Sequence, residues 1–101
     1  MIRHVAVFRW KPGFPDEELH EWMDRLRALP GQIQELSSLT VGTDVVHGGR
    51  SWDAAVVADI DSIESLTTYN ENPEHQAILK ISAPNIDQVI QVDFEIPTTS
   101  R

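Results

Sequence analysis

The chain has 101 residues with 16 acidic against 8 basic side chains, and it has no cysteine. That length holds a single hydrophobic core. The net charge of −8 excludes nucleic acid and anionic membrane surfaces as partners, since both need clustered Lys and Arg, and the missing cysteines exclude disulfides, thiolate catalysis and cysteine-based zinc sites.

Ile2 to Trp10 reads as a strand, with Ile2, His4, Ala6, Phe8 and Trp10 on one face and Val5 and Val7 on the other. Arg3, His4 and Arg9 interrupt its apolar run, so it is neither a secretion signal nor a membrane span, and a cytoplasmic location is expected. The Lys11 to Pro15 stretch breaks the strand. Asp16 to Leu29 follows as an amphipathic helix in which Leu19, Trp22, Met23, Leu26 and Leu29 recur at helical spacing. Acids occupy its first turn and Arg25 and Arg27 its C-terminal end, and Pro30-Gly31 stops it.

Ile33 and Leu36 read as a short turn packed on the core. Leu39 to Val46 is the second expected strand, and His47 to Ser51 is a loop. Ala54 to Ile60 is almost wholly apolar, so a central strand covered on both faces is expected. Asp61 as N-cap with Glu64 at N3 opens a helix whose apolar side carries Ile63, Leu66 and Thr67. Asn72-Pro73 starts a further helix with Ala77, Ile78 and Ile81 facing inward. Ala83 to Asn85 interrupts it, Val89 to Ile96 forms the last strand, and the polar end of the chain frays. Residues 1–97 therefore form one domain and residues 98–101 a polar tail.

Strand, helix, strand, strand, helix, strand is the ferredoxin-like α+β arrangement. Its helices cover one face of an antiparallel sheet. The other face also carries apolar residues, Val5 and Val7 among them, so a second copy of the chain is expected against it.

The single tyrosine, Tyr69, lies six residues before His75, with Asn72-Pro73 between them. A phenol and an imidazole held together form an acid/base pair, and a helix N-terminus favours the neutral imidazole. His75 and Tyr69 are thus the candidate catalytic pair. His4, Phe8, Trp22 and Leu26, from the inward faces of the first strand and first helix, are the candidate ligand-binding side chains. His20 and His47 read as solvated. No pair of histidines has metal-ligand spacing, and neither a metal nor a cofactor is expected. Asp53 and Asp93 are expected in edge or interface hydrogen bonds, with Arg3 or Arg9 as partners. His4 is expected to bond near Asn72 or Pro73.

The stretches Ile2 to Lys11, Leu26 to Pro30, Leu66 to His75 and Val92 to Phe94 resemble the Dabb family, the stress-responsive dimeric α/β-barrel domain. The histidine in the first strand and the Tyr/His pair across a proline-started helix carry most of the likeness, which spans essentially the whole chain. The resemblance implies a homodimeric barrel. One plant branch, of the olivetolic acid cyclase type, cyclises a linear polyketide without a metal. Its catalytic tyrosine and histidine fall on Tyr69 and His75, and its first-strand histidine falls on His4. Its third-strand pocket histidine falls on Ala54, its helix-1 tyrosine has no counterpart, and a histidine found before the proline in many relatives is Asn72 here. The expected function is a stress-response-type barrel protein that binds a small organic molecule between sheet and helices. The alternatives are a cofactor-free cyclase, isomerase or lyase acting on a polyketide-like or aromatic substrate, and a purely structural dimer.

Overall fold

Strict alternation builds the first strand where the sequence places it. β1 runs Ile2–Trp10; Ile2, His4, Ala6 and Phe8 are buried, while Val5 and Val7 are half-buried on the opposite side. The computed structural model describes residues 1–97, and the expected polar tail at 98–101 lies outside the described residues.

Helix α1, Asp16–Ala28, carries Asp16, Glu17 and Glu18 in its first turn and Arg25 and Arg27 in its last, which complements the helix dipole at both ends. Trp22, Met23 and Leu26 are its buried stripe. Leu29, expected as the last helical residue, instead opens a 3₁₀ turn, Leu29–Gly31, because Pro30 cannot donate to the α-helical ladder.

Strand β2 spans Leu36–Thr43, three residues ahead of the expected Leu39 to Val46. Leu36 sits opposite Ile60, and the register then shifts before Ser38. That bulge breaks the period of two from which the strand was read. Val45 and Val46, expected inside the strand, lie in the following loop at 84% and 76% exposure. Strand β3, Ala54–Ile60, has the expected bounds. Ala54, Val56, Ala58 and Ile60 are buried and the alternate residues half-buried, so within one chain only the helix side of this strand is fully covered.

Helix α2, Ile63–Glu71, is capped by Ser62, whose hydroxyl accepts from the Ser65 N–H at 3.1 Å. The expected cap, Asp61, accepts from the Ser37 hydroxyl instead. Ile63 and Thr67, expected on the apolar side, are exposed; Leu66 is half-buried and Tyr69 buried. Helix α3, Pro73–Ser82, begins at Asn72, whose side-chain oxygen accepts from the N–H groups of Glu74 (2.8 Å) and His75 (3.4 Å). Strand β4, Ile86–Glu95, starts three residues before the expected Val89.

The sheet order is β2-β3-β1-β4, every pair antiparallel, with helices on one face: a ferredoxin-like α+β fold. The core lies between that face and α1 and α3, around Trp22, Leu26, Leu29, Ile60 and Ile78. On the helix-free face, Val5 pairs with Val57 and Val92, and Val7 with Ala55 and Ile90. Ile90, Val92 and Phe94 are exposed there. Among the described residues no helix is long and apolar enough to cross a membrane.

Candidate functional site

The β1–β4 register sets His4 directly opposite Asp93, and the side chains meet: His4 Nδ1 lies 2.6 Å from Asp93 Oδ1. This corrects the expected partners of both. His4 does not bond the Asn72 region, and Asp93 does not pair with Arg3 or Arg9. Arg3 pairs with Asp59 at 2.8 Å, which holds the Asp59 carboxyl below the usual carboxylate range, chiefly through that hydrogen bond. Arg9 reaches Gln88 and Asp87 and lies over the Trp52 ring. Asp53 accepts the Trp10 N–H at 2.8 Å.

On the helix side of β1, the Tyr69 ring meets His4 edge-on at 6.1 Å between centroids and stacks on His75 at 4.2 Å. The chain turn at Asn72-Pro73 produces that stack. Asn72 closes α2 in extended backbone and caps α3, so the last turn of one helix and the first turn of the next face the same space.

That space is a cavity of about 200 Å³ between β1, β4 and the helices. Its polar lining is His4, Tyr69, His75, Asn70 and Gln91; Ala6, Phe8, Trp22, Leu26, Val56 and Ile78 line its apolar floor. Exposed Leu79 on α3 and Val89 on β4 border the cavity on the open side. The structure thus brings together all six side chains singled out in the sequence: His75, Tyr69, His4, Phe8, Trp22 and Leu26. Ala54 is buried in the core on the helix side of β3 and is not among this lining. His20 and His47 are exposed. Among the described residues no cluster of three or more His, Asp or Glu could hold a metal ion.

Burial lowers the His75 pKa below the usual imidazole value, with the neighbouring His4 acting in the same direction and the Asn70 and Tyr69 carbonyls opposing. His75 is therefore neutral at pH 7. Its Nδ1 is enclosed without a hydrogen-bond partner of good geometry among the described residues. Burial also pushes the Tyr69 phenol up to about 12, so it is a proton-bearing donor at neutral pH. A neutral base stacked on a neutral donor, beside a carboxylate-held imidazole, can take a proton from one atom while stabilising negative charge on another. Asp93 is the one member of this group not singled out from the sequence as a site residue. The available signal was its cross-strand position relative to His4, which requires the β1–β4 register.

The fold and this site define a ferredoxin-like α+β protein with a polar-rimmed cavity between sheet and helices. A structure of a dimeric ferredoxin-like protein of unknown function from Thermobifida fusca superposes with a TM-score of 0.85 at 34% identity, covering 94% of this chain and 90% of that one. The chain belongs to the Dabb family: the stress responsive A/B barrel domain model matches residues 2–96. An uncharacterised protein of Streptomyces coelicolor is 30% identical over 79 residues, 76% of this chain and 81% of that protein. A hydroxynitrile lyase from Passiflora edulis shares the fold, with a TM-score of 0.82 at 15% identity over 99% of this chain and 96% of that one.

Proposed function

We propose that this protein is a homodimer that pairs through the helix-free sheet face, and that the cavity on the other face binds a small organic molecule. The observation carrying the ligand reading is that one cavity gathers Tyr69, His75 and His4 over an apolar floor, the arrangement expected of a small-molecule site. Support for the dimer comes from the T. fusca relative, described as dimeric, and from the shape of the bare face. There a ridge of Ile90, Val92 and Phe94 on β4 lies across β1 and β3 from a hollow lined by Thr40, Gly42 and Ala55. A two-fold axis lays each copy's ridge against the other's hollow, which is the self-complementarity an isologous interface needs.

A second reading, cofactor-free acid–base catalysis, is favoured by the stacked neutral pair. Here His75 removes a proton from a carbon acid, and the Tyr69 hydroxyl donates a hydrogen bond to the oxygen on which the negative charge develops. The P. edulis relative, a lyase by name, supports the view that this fold accommodates such chemistry.

Thermal unfolding of the full chain against a mixed panel of small organic molecules tests the ligand reading. A binder raises the midpoint in a concentration-dependent way. Filling the cavity by Ala6→Leu should abolish that rise. A midpoint unmoved across the panel, or a rise that survives Ala6→Leu, counts against the cavity as the site.

A further inference from the structure

We propose that the cavity selects uncharged ligands: ring-sized compounds with one carbonyl or hydroxyl oxygen, to the exclusion of carboxylates and phosphates. This rests on the cavity being a ligand site and adds the class of ligand it takes. Size sets the first limit. A cavity of about 150 Å³ admits benzene, so the about 200 Å³ here holds a ring and about three more non-hydrogen atoms.

Charge sets the second limit, and among the described residues no unmatched cation lines the site. No lysine or arginine is among the lining residues. His4 is held by Asp93 at 2.6 Å, so whichever proton state it takes, its charge is matched before a ligand arrives. His75 is buried and unprotonated. The N-terminus of α3, which could otherwise hold an anion, is closed by Asn72: its side-chain oxygen takes the Glu74 and His75 N–H groups and its carbonyl takes that of Gln76. Arg25, on α1, faces Glu21 and Glu74 at the surface, and Arg3 is bound to Asp59. An entering carboxylate would shed its hydration, meet no free positive charge and feel the Asp93 carboxylate. An uncharged oxygen needs only a donor, which the Tyr69 hydroxyl supplies, and its apolar remainder meets Phe8, Trp22 and Ile78. Leu79 and Val89, apolar at the open side, favour entry of the same kind of molecule.

A matched pair of probes decides this. The full chain is titrated at neutral pH with benzyl alcohol and with benzoate, both within that size limit, following the His75 and His4 ring signals by NMR. The alcohol should saturate the signals, and the carboxylate should bind at least about tenfold more weakly. In Asp93→Asn the gap should narrow, through tighter carboxylate binding. Equal affinities in the native protein would overturn the charge selection while leaving the cavity as a ligand site. Signals unmoved by both compounds at millimolar concentration would overturn the ligand reading itself, and the proposed class with it.

Discussion

One sheet presents two faces built from the same strands, and they differ in what they leave unfinished. On the helix-covered face, Ile2, Ala6, Phe8, Val56, Ala58 and Ile60 are sealed by α1 and α3, and a cavity there is bordered by Tyr69, His75 and His4. On the bare face, Val92 stays 61% exposed with Ile90 and Phe94 beside it. A contiguous apolar face of that kind marks an interaction surface. Alternation along β1 makes the division: Ile2, His4, Ala6 and Phe8 complete a core within the chain, and Arg3, Val5 and Val7 stay half-buried on the bare face. The core and the proposed pairing surface therefore lie on opposite sides of one strand and can be perturbed separately.

The largest separation comes from a charge on the bare face. Val92→Asp would bury an unpaired carboxylate twice in a symmetric dimer, at about 3–5 kcal/mol each, while leaving the helix-side core intact. Sedimentation should show a folded monomer at micromolar concentration; an unchanged dimer would show that the association uses another surface. On the covered face the opposite pattern is expected. Ile78→Ala removes a side chain only 1% exposed and should cost about 2–4 kcal/mol in urea unfolding, with sedimentation unchanged. Asn72→Ala is smaller: losing the cap that holds Glu74 and His75 should cost about 1 kcal/mol. It also loosens the geometry that stacks His75 on Tyr69, so a circular-dichroism melt and ligand binding should weaken together.

The smallest effect is a pH dependence confined to the covered face. The folded-state pKa of His75 lies below its unfolded value of 6.5, so the unfolded chain binds the extra proton in that window. Stability should therefore fall as the pH drops through 6.5 towards the lowered value, and be recovered on raising it. His75→Gln should flatten that slope in denaturant titrations at stepped pH; an equal slope in the variant would assign the dependence to another group.

How far the sequence foretold each face follows from where the deciding interactions lie. β1 and β3 were legible to the residue because alternation and a continuous apolar run are local signals. β2 was misplaced because the shift between Leu36 and Ser38 breaks the alternation while Val45 and Val46 imitate strand residues. The cap of α2 was missed by one position, since Asp61 and Ser62 are both good caps and only the path of the chain chooses between them. The lining of the cavity was legible as residues on inward faces. The His4–Asp93 contact was not, because it joins residues 89 apart through a register that no local pattern encodes.

The most direct test of the central claim, that the covered face holds a ligand site built on a neutral imidazole, is a histidine-resolved NMR titration of the native protein across pH 5–8, with and without small organic compounds. His75 should titrate below the ordinary imidazole value, and its ring signal, with that of His4, should move on adding one class of compound. A His75 that titrates like a free histidine, with ring signals that no compound moves, would contradict that claim.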